Sequence, residues 1–333
     1  MFKVDKLDIN LVSNVESIIY KDNIVIGNSI GNLLFVDDNL RVETHKCFRR
    51  NFDYLESEDI RETVLAVEKL NKNCGSMKYN KYFVANERII KLLDYKDKYY
   101  NEVFTKTCHN YIINSLSINQ SNEYLLSSDM LSVLLWRVDR KEYFKLIDIK
   151  SNIKEGDISV INYSQFSPFN ENIFGYCFSD GRIKFNDINL SPKSDVIFNH
   201  KISEGTYKSV CGFVFLNEYQ VALRSISNIE VFDMRNINNK INLELFKNEI
   251  DSDLSYEKFK ITENNGILCA GMMNGKLFYY NLSNQESGFI KLESDNQSKK
   301  VLQNTNQLVK NVISYKNGVI GVVDNKLYKI ETE

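Results

Sequence analysis

The sequence predicts an all-β protein, a seven-bladed β-propeller closed by its N-terminal strand in the last blade. Three observations across the 333 residues predict it: a short polar turn followed by alternating apolar residues occurs seven times, the repeats start 43 to 57 residues apart, and a second apolar run precedes every turn. Asp-Gly and Asn-Gly between apolar runs are strong hairpin signals, and the period is that of a four-stranded propeller blade. Composition agrees. Tyr 19, Phe 20 and Trp 1 bring aromatic residues to 12%, and such side chains suit a pleated, half-buried surface. Gly 14 and Pro 2 are few for a turn-rich fold. Asn and Asp take their place, because they tolerate left-handed backbone and bond their own main chain.

The units follow in order. In the first, Asn23–Ile26 leads to the turn Ser29–Asn32 and then Leu33–Val36; in the second, Tyr82–Ala85 leads to Asn86–Arg88 and Ile89–Leu92. The third runs Tyr124–Leu126, Ser128–Met130, Val133–Trp136, and the fourth Ile173–Tyr176, Asp180–Gly181, Ile183–Phe185. The fifth has Gln220–Leu223, Ser227–Asn228 and Ile229–Phe232, the sixth Ile267–Ala270, Asn274–Gly275 and Leu277–Tyr279, and the last Val319–Val322, Asp324–Asn325 and Leu327–Ile330. A third strand precedes these pairs, as in Ser115–Ile118, and an outer one follows, as in Phe144–Ile149. Expected blade bounds are roughly 13–40, 59–96, 111–150, 156–201, 207–248, 253–294 and 306–333 with 2–12, forming one domain. The seventh unit reaches Glu333 directly after its third strand, which would leave a bare edge open to foreign pairing. The alternating segment Phe2–Ile9 is therefore assigned to that blade. Phe289–Leu292 is expected as the outer strand of the sixth blade and Asp295–Asn306 as a mobile loop.

Composition also excludes functions. Lys+Arg 42 against Asp+Glu 44 gives a net charge of -2, so neither nucleic acid nor a membrane surface is an expected partner. No apolar run has the length of a membrane span, and Met1–Lys6 lacks a signal-peptide core, so a cytoplasmic and nuclear location is expected. Six scattered Cys read as free thiols in a reducing compartment. His45, His109 and His200 lie in different units and are expected at the surface or at strand ends, which predicts no metal site and no His-based catalysis. With no Gly-rich nucleotide motif either, no cofactor and no enzymatic activity are expected. Trp136 is expected to be structural.

The third unit carries a resemblance. His109–Asn119, Leu126–Asp129, Leu135–Trp136 and Ile147–Lys150 resemble the stretches HINSLSIN, LSADDLRINLW and IVDIK of the WD-repeat B-type regulatory subunit of serine/threonine protein phosphatase 2A. Phe52–Ser57 is similar to that family's FDYLKS, and Glu87–Leu92 to its NDKTIKLW. The resemblance implies a WD-repeat-like propeller that binds a phosphatase catalytic subunit and a helical-repeat scaffold subunit and presents phosphoprotein substrates. Three departures stand out. The family's long arm between the second and third blades is reduced to Tyr95–Thr107, which puts scaffold docking in question, and its acidic pair at the substrate rim reads Asp129-Met130. Arg224 matches the Arg of the family's TRDYLS, whose Asp is missing here.

Candidate partner-binding residues are Asp129, Tyr111, Glu87, Arg88, Asp180 and Arg224. Asp129 stands at a hairpin tip, where a carboxylate either bonds the turn backbone or faces a substrate. Arg224 either pairs with a neighbouring acid or meets a phosphate or acidic partner group. A different reading is a general interaction scaffold without phosphatase association.

Overall fold

The computed structural model describes residues 2–9, 11–54, 57–70, 81–96, 99–149, 159–190, 196–202, 208–245, 258–292, 307–323 and 325–332. The expected loop Asp295–Asn306 lies outside them. Every regular element among the described residues is a strand, and the strands form seven four-stranded antiparallel sheets and one two-stranded hairpin. The innermost strands of successive sheets neighbour one another in chain order, and the seventh meets the first, which closes the ring. The fold is a seven-bladed β-propeller.

Blade one is Val15–Lys21, Asn23–Asn28, Asn32–Val36 and Val42–Lys46; blade two is Ala66–Lys69, Lys81–Ala85, Ile89–Lys96 and Tyr99–Thr107. Blade three is Ser115–Ile118, Tyr124–Ser128, Ser132–Arg137 and Glu142–Asp148, and blade four is Ile161–Phe166, Ile173–Phe178, Arg182–Asp187 and Val196–Lys201. Blade five is Val210–Phe215, Gln220–Ser225, Asn228–Asp233 and Asn236–Glu244, and blade six is Ile261–Asn264, Ile267–Gly271, Lys276–Asn281 and Ser287–Lys291. The last blade combines Val312–Tyr315, Gly318–Val323 and Lys326–Thr332 with Phe2–Leu7, in a register that pairs Phe2 with Thr332 and Leu7 with Leu327. Closure by the N-terminal strand is therefore as the alternation of that segment predicts.

Two outer strands differ from the expected bounds. Val42–Lys46 extends blade one past residue 40, and Tyr99–Thr107 is the fourth strand of blade two rather than a connector. Outer strands face water on much of their surface, so Val42, Glu43 and Thr44 are exposed and the apolar alternation that marks an inner strand is missing.

The core is divided among the gaps between blades. Successive side chains on a strand point to opposite faces, so Leu134 and Trp136 pack towards blade two while Val133 and Leu135 pack towards blade four. The same sharing recurs at the other interfaces, including the closing one, where Ile18, Ile24 and Ile26 meet Ile320 and Val322. A polar layer ties inner strands together near one end. Ser17 Oγ donates to the Val64 carbonyl at 3.0 Å, Asn114 Nδ2 to Ile161 at 2.7 Å, Asn162 Nδ2 to Val210 at 2.8 Å and Asn311 Nδ2 to Val15 at 3.1 Å. Each joins one blade to the next. The turn Asn274-Gly275 has φ of 58° and 63°, the doubly left-handed form that matches strand twist in a two-residue hairpin.

Candidate partner-binding face

One end of the ring collects the turns between second and third strands together with the crossings from blade to blade. Main-chain bonds fix them to one another: Val64 N donates to Asn28 O at 3.0 Å, Ile113 N to Glu87 O at 3.1 Å, Ile161 N to Met130 O at 2.8 Å and Val309 N to Met272 O at 2.9 Å. All six candidate residues lie on this end, yet they do not converge on one pocket.

Asp129 is 2% exposed. One carboxylate oxygen accepts from the backbone N–H groups of Leu131 at 2.7 Å and Ser132 at 2.6 Å, and the other lies 2.9 Å from His109 Nδ1. His109 Nε2 is 2.8 Å from Ser127 Oγ, which accepts from Trp136 Nε1 at 2.8 Å. With the imidazole proton on Nδ1, every member is satisfied: the indole donates to the hydroxyl, the hydroxyl to Nε2, and Nδ1–H to the carboxylate. Burial pushes the Asp129 carboxyl up, but the His109 bond and the two backbone donors outweigh it and leave its pKa below the ordinary value. This chain of bonds locks the crossing from blade two onto the third blade. His109, expected at the surface or at a strand end, lies just past the end of Tyr99–Thr107 and is buried because Asp129 and Ser127 receive both ring nitrogens, and Trp136 is structural as expected.

Arg224 is fully buried, and among the described residues it pairs with no acid. Its guanidinium donates to the carbonyls of Ser225, Ile226 and, across the gap between blades five and six, Gly271 at 3.2 Å. The group also lies 5.4 Å from the Phe259 ring. Burial lowers its pKa to about 10. Arg224 thus does for blades five and six what Asn114 does for blades three and four.

The other four stand nearer solvent. Glu87 accepts from the Arg61 N–H at 3.3 Å and its carboxylate is 3.7 Å from the Arg61 guanidinium. Arg88 lies 3.6 Å from Asp53, and Asp180 pairs with Arg182 at 2.5 Å. Tyr111 is 38% exposed. Among the described residues no cluster of His, Cys, Asp and Glu could hold a metal ion.

Residue-by-residue reading missed the apolar part of this face. The crossing from blade one to blade two carries the small hairpin Asn51–Asp53 with Glu58–Ile60, where Phe52 and the strongly exposed Tyr54 touch edge-on at 5.0 Å. Ile30 and Ile112 are also open to solvent, in the first blade's turn and the next crossing. Arg88 holds this hairpin to the second blade through Asp53. An aromatic pair on a hairpin outside any blade was the available signal, since it has no blade core to enter.

No family model matches the sequence. The chain is 35% identical over 126 residues to the serine/threonine-protein phosphatase 2A regulatory subunit phr2AB of Dictyostelium discoideum, covering 38% of this chain and 25% of that protein. It is 25% identical over 222 residues to the B regulatory subunit of protein phosphatase PP2A from Candida tropicalis, covering 59% and 44%. Over 88 residues it is 36% identical to the Schizosaccharomyces pombe protein of the same name, covering 26% and 19%. The matched part spans less than half the length of these relatives. The resemblance read from the sequence is borne out by these similarities.

Proposed function

We propose that this chain is a non-catalytic regulatory and substrate-adaptor subunit of a phosphatase 2A-type serine/threonine phosphatase, presenting phosphoproteins to a separate catalytic subunit. The similarity to several proteins named as regulatory subunits of phosphatase 2A carries the reading. The exposed apolar residues Ile30, Phe52, Tyr54 and Ile112 support it, because they offer contact area to a partner on the end that carries the turns and crossings. Arg88 borders the hairpin through Asp53, while Glu87, Tyr111 and Asp180 stand elsewhere on the same end. In this reading Asp129 and Arg224 hold the face in shape and do not touch the substrate. Metal and catalytic groups belong to the other chain. Affinity purification of the tagged chain from its own cells tests the proposal: a catalytic phosphatase subunit and a helical-repeat scaffold subunit are expected, and recovery of neither refutes it.

One observation favours a second reading, a general interaction scaffold. Only residues 97 and 98 separate the third and fourth strands of blade two, so no long arm leaves that hairpin. Recovery of the catalytic subunit without scaffold would mean that the phosphatase link survives the short hairpin. Recovery of unrelated assemblies alone would favour the second reading.

A further inference from the structure

Beside the apolar hairpin, whose Asn51 and Ile60 join its lining, the crossing out of blade one runs past the third and fourth strands of blade two and leaves a groove of about 530 Å³ between them. That volume is within the roughly 300–1,000 Å³ of ordinary ligand clefts. Cys47, Phe48 and Ile60 are buried beneath it and make a fixed floor. Four cations line it, Lys46, Arg49, Arg50 and Lys91, against one carboxylate, Glu102.

The balance of charge is the informative feature. Lys91 lies 2.8 Å from Glu102 inside the groove and 5.2 Å from the face of the Phe48 ring. Lys46 is matched by Glu62 at 2.8 Å and Arg50 by Asp59, but neither acid is part of the lining. Arg49 is exposed and makes no ion pair among the described residues. One cation is therefore unmatched, and two more are compensated only from outside. The neighbouring His45 is held below its ordinary pKa by burial and then by Lys91, which is consistent with a positive local field.

Three of the cations lie on the single segment 46–50, so their charges are spread along a line instead of meeting at a point. A compact anion would use one or two of them. Carboxylates carried at intervals on an extended chain would take the whole Arg49 fork and share Arg50 with Asp59, which already holds its Nε and Nη2. The chain's net charge of -2 gives no long-range attraction for a nucleic acid. We propose that this groove docks an acidic, extended peptide segment of a partner protein, with its carboxylates on Arg49 and Arg50. The proposal goes beyond phosphatase association and does not need it.

Fluorescence anisotropy on the full chain tests this, using a short labelled peptide of alternating Glu and Leu at low salt. Saturable binding is expected, weakened about tenfold by Arg49→Glu with Arg50→Glu and weakened also by added salt. Arg140→Glu with Arg235→Glu changes net charge equally at exposed sites on blades three and five and is expected to leave binding intact. Arg49→Ala, at a side chain with no ion pair to lose, is expected to weaken binding severalfold with an unchanged melting temperature. This keeps the test valid if the double reversal disturbs folding. Absent saturation, equal losses in both double variants, or equal affinity for a Lys and Leu peptide would each overturn the proposal.

Discussion

Replacing Ser127 by Ala removes one oxygen and strands two partners. The Trp136 indole N–H loses its acceptor at 2.8 Å and His109 Nε2 loses its donor at 2.8 Å, in a place that water does not reach. Each buried polar group left unpaired costs about 1–3 kcal/mol, so with two stranded groups the substitution is expected to destabilise the fold by about 2–6 kcal/mol. Against a typical total of about 5–15 kcal/mol that is a large fraction. Urea unfolding followed by tryptophan fluorescence reads this directly, since Trp136 is the sole tryptophan and belongs to the network being broken. Ser287→Ala, at an exposed outer-strand position, serves as the control and should shift the midpoint little. The double variant with Trp136→Phe, which has no tryptophan and is followed by circular dichroism beside the two single variants, should lose less than the sum of the singles, because one stranded donor disappears with the indole. A Ser127→Ala loss no larger than that of the control would refute the argument that these bonds hold the blade.

Other outcomes follow from the same geometry. Asp129 has a folded-state pKa below its unfolded value, so it contributes stability that is present above the unfolded pKa, about 3.9, and is lost as pH falls through the folded value. Asp129→Asn should therefore flatten the acid limb of a stability profile followed from neutrality down to about pH 2, since the loss falls below the unfolded carboxylate value. Gly271→Ala places a Cβ 1.7 Å from the Val309 carbonyl oxygen and should cost about 3 kcal/mol or prevent folding, as read by circular dichroism. Deleting residues 2–7 removes Phe2 and Val4 from the last inter-blade layer and bares the edge of Lys326–Thr332. Self-association on size-exclusion chromatography is expected, and a stable monomer would contradict the latch role of that strand.

The ring was legible because its inner strands are apolar and its turns carry Asn, Asp and Gly at a regular spacing. Val319–Val323 and Tyr124–Ser128 could hardly be read otherwise. The outer strands were less legible, since Val42–Lys46 and Tyr99–Thr107 face solvent and carry no strong alternation. Site residues were harder still. Asp129 and Arg224 are charged and sit at turns, and nothing in one dimension distinguishes a charge offered to a partner from one folded inward onto carbonyls, amides or an imidazole. His109 precedes Asp129 by twenty positions, and only the pairing of strands shows that they touch. The exposed pair Phe52 and Tyr54 had a visible motif, but their exposure depends on a hairpin that no blade encloses.

The contact of Phe2 with Thr332 makes assembly of the ring a matter of timing. During synthesis the first strand emerges with no edge to join, and the sheet it completes does not exist until Lys326–Thr332 has left the ribosome. Joining such distant segments carries an entropic cost that grows slowly, about 0.6 kcal/mol for each doubling of the span, but it delays the step until the six other blades can hold the two ends near each other. The nascent chain must therefore keep Val4 and its neighbours from pairing with foreign edges in the meantime. The alternating charges of Lys3, Asp5 and Lys6 on this segment are well suited to that wait.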